Sequence, residues 1–181
     1  MVIRSILNLR QGWLDTMIAQ PTVPGIPRPT RFFLTAGSAE GYTPLNAFDA
    51  ALLDARVGDV NLVKLSSILP PGCRHVERIV LEPGSLTPVA YASITSHLPG
   101  ETIAAAVACG VPADPDQPGV IMEYSARGSA HSAEEIVREM AKQAFDVRKR
   151  ELKEILSVSI EHHVTSIGST FAAVVFGYGD V

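Results

Sequence analysis

Cysteine is nearly absent: Cys73 and Cys109 are the only two among 181 residues. A disulfide framework needs more, so the chain reads as one from a reducing, cytoplasmic compartment. Both thiols are expected inside, as small apolar side chains. Long apolar runs are missing too. No stretch reaches the roughly 18 residues of a membrane-spanning helix, so no membrane partner is expected. Met1 to Gln20 is amphipathic at best and Asp15 interrupts it. No apolar block there marks a signal peptide. Basic charge is not in excess either. Fifteen Lys and Arg face nineteen Asp and Glu, a formal net charge of −4. With no basic stripe, a nucleic-acid partner is not expected. Mild acidity suits a cationic substrate without specifying one. Hydrophobic residues make up 46% and charged residues 19%, the balance of a globular chain with a normal core and not of a disordered one.

Familiar chemical signatures are also lacking. Gly37-Ser38-Ala39-Glu40-Gly41 has no Lys-Ser/Thr after it, so it reads as a turn and not as a phosphate loop. His162 and His163 are adjacent, and on a strand they point to opposite faces. Without spaced partners they do not make a metal site, and no metal is expected. There is no Gly-Xaa-Ser-Xaa-Gly elbow.

What is present divides the chain in two. Pro21, Pro24, Gly25, Pro27 and Pro29 crowd one short stretch, which holds neither a helix nor a central strand. Residues 1–30 are therefore read as a loosely ordered N-terminal extension, and 31–181 as one domain. Within it, 31–36 predicts a strand. Thr43-Pro44 starts a helix, with a hydroxyl cap and proline at the first helical position. Leu45, Phe48, Leu52 and Ala55 recur at helical spacing, and Gly58 is expected to close that helix. Strands are expected over 60–65, 75–81, 87–97, 102–111 and 120–125. Ser132 and Glu135 form a capping-box pattern for a long helix, 133–151, with Ile136, Val137, Met140, Ala144 and Val147 inward. Apolar strands at 156–164 and 170–176 end the chain. Strands cluster instead of alternating with helices, so the fold class is α+β.

One local feature invites chemistry. Leu65-Ser66-Ser67-Ile68-Leu69-Pro70-Pro71-Gly72 ends the strand that contains Asn61. Most serine pairs at strand ends are turn or cap residues. If strained, however, the Ser67 hydroxyl lies one residue from the Ser66 carbonyl and can attack it, exchanging the amide for an ester. β-Elimination then releases residues 1–66 and leaves dehydroalanine at 67. Tautomerisation and loss of ammonia give a pyruvoyl cap. The step needs an oxyanion donor, and Asn61, upstream in the same strand, is a candidate.

The block Gly37-Ser38-Ala39-Glu40-Gly41-Tyr42-Thr43-Pro44-Leu45-Asn46-Ala47-Phe48-Asp49-Ala50-Ala51-Leu52 is followed by Gly58-Asp59-Val60-Asn61-Leu62 and Ser66-Ser67-Ile68-Leu69-Pro70-Pro71. Pro99-Gly100-Glu101-Thr102, Gly119-Val120-Ile121-Met122-Glu123-Tyr124 and Val137-Arg138-Glu139-Met140-Ala141 come after them. In this order and spacing, over residues 33–177, the chain resembles the pyruvoyl-dependent arginine decarboxylases. The resemblance implies a four-layer αββα sandwich, cleaved between Ser66 and Ser67 into 1–66 and 67–181. It implies a trimer of cleaved protomers with active sites between neighbours. The implied cofactor is a covalent pyruvoyl group from Ser67, with no pyridoxal phosphate. The implied reaction turns L-arginine into agmatine and carbon dioxide through an imine to that group. By position, Asn61 matches the family's cleavage and active-site asparagine and Glu123 its catalytic glutamate. Asp49 matches the carboxylate that receives the substrate guanidinium, with Leu52 beside it.

Glu123 lies in an apolar strand, where desolvation favours the protonated form and a proton for the substrate carbon. It is expected to serve decarboxylation and not the cleavage. Asp49 suits a guanidinium through paired hydrogen bonds. Alone it does not separate arginine from lysine, and aspartate or histidine are further rival substrates. An uncleaved paralogue that only binds small amines is the rival of another class. Intact Asn61, Ser66, Ser67 and Glu123 argue against it.

Overall fold

The computed structural model describes residues 27–179, so most of the expected 1–30 extension lies outside the described residues. In chain order the elements are β1 (Arg31–Glu40), α1 (Pro44–Asp54), β2 (Asn61–Lys64), β3 (Ile68–Leu69) and β4 (Arg74–His75). They continue with β5 (Leu86–Ser96), β6 (Thr102–Pro112), β7 (Gly119–Arg127), α2 (Ala130–Arg148), β8 (Leu152–His163) and β9 (Gly168–Gly177). The class is α+β, with two sheets and two helices. One sheet has the order β2-β5-β9-β1-β4 and the other β3-β7-β6-β8.

Side-chain alternation sets the layers, because successive strand residues face opposite sides. Phe32, Ala90, Ala172, Val174 and Phe176 of the first sheet meet Ala105, Val107, Cys109 and Ile121 of the second. The other face of the first sheet, with Phe33, Phe171 and Val175, receives Ala51 and Leu52 of α1 and Ala55 at its C-cap. The other face of the second, with Ala104, Ala106 and Ala108, receives Ala133, Val137 and Ala141 of α2. The packing order is thus helix, sheet, sheet, helix. Alanine is a weak strand former, yet β6 is a central strand flanked by β7 and β8. Its small side chains let α2 lie close, so tertiary packing overrides local preference. β9 is buried along its whole length and carries the centre of its sheet.

Several local expectations are corrected. Gly37 to Glu40 is not a turn: β1 runs on to Glu40, paired with β9 from Arg31↔Gly177 to Glu40↔Gly168. Gly37 serves close approach instead, since a β-carbon there would strike Ala51 O and Ala55 N of α1. Gly58 does not close α1, because Arg56 takes the left-handed conformation first, at φ 62°. Thr43 does cap the helix, its side chain accepting from Asn46 N. The buried stripe of α1 is Ala47, Ala51 and Leu52, continued by Ala55 at its C-cap, and Leu45 is exposed. Of the 75–81 segment only His75 joins a sheet, as the second residue of β4 after Arg74. Ile79 is then buried over the α1 cluster, with Val76 and Leu81 packed beside it. α2 starts three residues earlier than expected, capped by Ser129 and not by Ser132. Its buried face is Ala133, Val137, Ala141, Ala144 and Phe145, leaving Ile136 and Val147 exposed. Cys109 is fully buried and Cys73 half-buried.

Glu40, at the end of β1, fastens the β8–β9 hairpin. It accepts from Thr165 N at 2.8 Å, Ser166 N at 2.9 Å and lies 2.7 Å from His162 Nε2. Burial alone would raise its pKa, but these bonds and the His162 charge outweigh burial and bring it from 4.5 to about 2. A carboxyl with a lowered folded pKa stabilises fully above its unfolded pKa, and that stability is lost as pH falls from about 4.5 towards 2. Glu40→Gln should therefore lower Tm by about 2–4 °C at neutral pH. The gap to the parent should close near pH 2. Thermal melts across pH check this, and a gap that persists at pH 2 refutes it.

Candidate active site

The first sheet hands the chain to the second at Ser66 and Ser67. β2 is an edge strand that pairs with β5 up to Lys64↔Val89. Leu65 N still bonds Val89 O at 2.8 Å. Only three residues later, Ile68 pairs with Val120 of β7 in the other sheet. The two serines therefore form a short strap between two rigid sheets, held at both ends. Pro70 and Pro71 follow and end β3.

The strap is strained at one residue. Ser67 has φ 76°, the left-handed region, in a residue with a β-carbon. Such a conformation costs about 1–3 kcal/mol and persists only where the surroundings impose it. Two contacts impose it here. Ile121 N donates to Ser67 O at 2.9 Å, and the Ser67 hydroxyl donates to Glu123 Oε1. On β7, Glu123 shares a face with Ile121 and with Ser125, whose hydroxyl reaches Ser93 O across the sheets at 3.0 Å. Its side chain is only 18% exposed. A cavity of about 270 Å³ opens beside the strap, lined among others by Ser67, Ile68, Ile121, Glu123, Met140 and Arg148. The arrangement joins a strained residue, its hydroxyl and a carboxylate on that hydroxyl.

The other expected site residues stand apart. Asn61 begins β2, at the end away from the strap, and its amide donates to Gly84 O at 2.8 Å. Asp49 is exposed on α1. Leu52 is buried under the same helix, against the outer face of the first sheet. Among the described residues, no hydrogen bond or ion pair joins Asp49, Leu52 or Asn61 to Ser67 or Glu123. Lys64 was not singled out from the sequence. Its Nζ lies 3.8 Å from Glu123 Oε2, and a lysine between Val63 and Leu65 in an edge strand gives no sign of that. The cysteines offer no rival nucleophile. Burial pushes Cys73 up to about 11 and Cys109 up to about 12, so both stay thiols near neutral pH. Among the described residues no group of His, Cys, Asp or Glu could hold a metal ion, and no helix is long and apolar enough to cross a membrane.

The family model for pyruvoyl-dependent arginine decarboxylase matches residues 31–180. The chain belongs to the pyruvoyl-dependent arginine decarboxylase family. A relative of that name from Methanocaldococcus jannaschii is 49% identical over 150 residues, covering 83% of this chain and 91% of the relative. One from Methanococcus aeolicus is 47% identical over the same length and coverage. One from Thermococcus kodakarensis is 43% identical over 148 residues, covering 81% of this chain and 94% of the relative. Pyruvoyl-dependent enzymes need a residue that becomes the pyruvoyl group. Ser67 has its hydroxyl on the Glu123 carboxylate, its own carbonyl anchored by Ile121 N and its backbone in the left-handed region.

Proposed function

We propose that this protein cuts itself between Ser66 and Ser67 and decarboxylates L-arginine to agmatine, using the pyruvoyl group that Ser67 becomes. Family membership supports the reaction. The observation that carries the processing step is the Ser67 hydroxyl on Glu123 at a left-handed backbone.

Ser67 Oγ attacks the Ser66 carbonyl carbon as its proton passes to Glu123. Glu123 passes that proton on to the nitrogen of residue 67, which leaves as an amine as the amide becomes an ester. This frees the strap from its strained turn. Loss of the Cα proton then breaks the Oγ–Cβ bond, and residues 1–66 depart with a carboxylate at Ser66. Tautomerisation of the dehydroalanine at 67, addition of water and loss of ammonia complete the change. The pyruvoyl group supplies a carbonyl for the substrate amine and an electron sink for the carbanion, the task of pyridoxal phosphate elsewhere. Glu123 remains beside residue 67 and returns a proton to the substrate carbon.

Arginine also needs a receptor for its guanidinium. Asp49 is exposed on α1 and makes no hydrogen bond or ion pair to Ser67 or Glu123 of its own protomer, so we read the working enzyme as a trimer in which a neighbour's Asp49 completes each site. Light scattering should give three times the 19.3 kDa chain mass. Asp49→Ala should raise KM for arginine about 30-fold, on the order of 2 kcal/mol for a hydrogen bond to a charged group. It should leave cleavage intact. An unchanged KM removes Asp49 from the site. A panel of amino acids without pyridoxal phosphate tests the substrate, and a better rate with lysine, histidine or aspartate overturns arginine.

A further inference from the structure

Lys64 sits where the edge of the first sheet loses its cover. β2 stops pairing with β5 at Val89, while β5 runs on to Ser96. Lys64 folds over that open edge. Its Nζ donates to Tyr91 O at 3.0 Å and lies 4.2 Å from the centroid of the Tyr91 ring. A lysine head is ordinarily a loosely held point charge on a flexible stem. Here a carbonyl and an aromatic face fix it, although the side chain is 53% exposed. The third neighbour is Glu123 Oε2, at 3.8 Å. The two oxygens of Glu123 are thereby given different partners. Oε1 takes the Ser67 hydroxyl and Oε2 faces a fixed cation.

We infer that Lys64 is a positioning residue for this reaction: pinned on Tyr91, it holds the outer oxygen of Glu123 so that the inner one faces residue 67. This rests on the reading of Glu123 as the proton carrier. An ion pair this exposed adds little stability, so its use is orientation. A carboxylate swings about its last side-chain bond, and proton transfer tolerates little misplacement. Lys64 precedes the cut and Glu123 follows it. The pair therefore spans the two fragments, and it gives the 1–66 piece a part in catalysis after it is severed.

A double-mutant cycle on the purified, cleaved enzyme tests this. Lys64→Met should lower kcat about 10- to 100-fold, the order expected for a displaced catalytic group, with KM for arginine within about threefold. Lys64→Arg, which keeps the charge and a donor, should recover most of kcat. In a Glu123→Gln background, Lys64→Met should cost nothing more, because no acid is left to position. If Lys64→Met cuts itself too slowly to supply cleaved enzyme, the same cycle is read on cleavage rates. A kcat loss that multiplies with that of Glu123→Gln makes Lys64 an edge clamp and overturns its role, leaving Glu123 untouched. So does a normal kcat in Lys64→Met. A normal Glu123→Gln enzyme overturns the reading of Glu123 and this inference with it.

Discussion

Ser67→Ala yields a single uncut chain with no decarboxylase activity. Without the hydroxyl there is nothing to attack the Ser66 carbonyl, and without the cut there is no pyruvoyl group. The loss is expected to be complete, since the variant lacks both the processing step and the group it produces. The fold should survive. Ser67 O still accepts from Ile121 N, and the strap remains tied to β5 and β7 at its ends. Alanine carries a β-carbon, so the strain at φ 76° remains as well. Strain without a nucleophile should not cleave. A denaturing gel separates the cases: the parent should show 1–66 and 67–181, and the variant one band. The parent's second fragment should resist stepwise N-terminal degradation, because a pyruvoyl cap has no free amine. Two bands from Ser67→Ala, or a free serine at the start of the parent's second fragment, would point to ordinary proteolysis.

The fold was legible where pattern and packing agree. Thr43-Pro44 marked the start of α1, and the apolar runs that became β5, β6 and β9 were visible as strands. It was misread where a small residue serves a neighbour. Gly37 resembles a turn residue, but it is the place where α1 presses on β1. Large apolar residues were assumed to mark the inner faces of the helices. In α1 and α2 alanines do most of that packing, which leaves Leu45, Ile136 and Val147 outside. The site was less legible still. Ser67 and Glu123 are 56 positions apart and meet only because Ile68 pairs with Val120. No local spacing encodes that register, and the pair was named by resemblance to a family. The contact between Lys64 and Glu123 depends on an open sheet edge, which a sequence does not display.

Glu123→Gln bears on how many steps one carboxylate serves. Read from the sequence, Glu123 belonged to decarboxylation alone. The Ser67 hydroxyl donates to Oε1, and on that contact we propose Glu123 as the base for the cleavage as well. Glutamine keeps the shape and an oxygen acceptor, so the strap should fold as before. It neither takes a proton near neutral pH nor gives one usefully to a carbanion. Cleavage should slow by about tenfold or more, with water as the remaining base. Turnover of the enzyme that does cleave should fall about 10²–10⁴-fold, the usual weight of a positioned acid or base. KM for arginine should change little, because Glu123 is not the group that holds the guanidinium. A pulse-chase of the uncut chain gives the first rate, and carbon dioxide release per mole of cleaved protein gives the second. If the variant cuts itself as fast as the parent, the base for cleavage lies elsewhere and the bond to Ser67 only orients the hydroxyl. If its turnover is normal, Glu123 is a structural carboxylate. A large loss in both rates is the result that one carboxylate, used first to make the pyruvoyl group and then to work beside it, predicts.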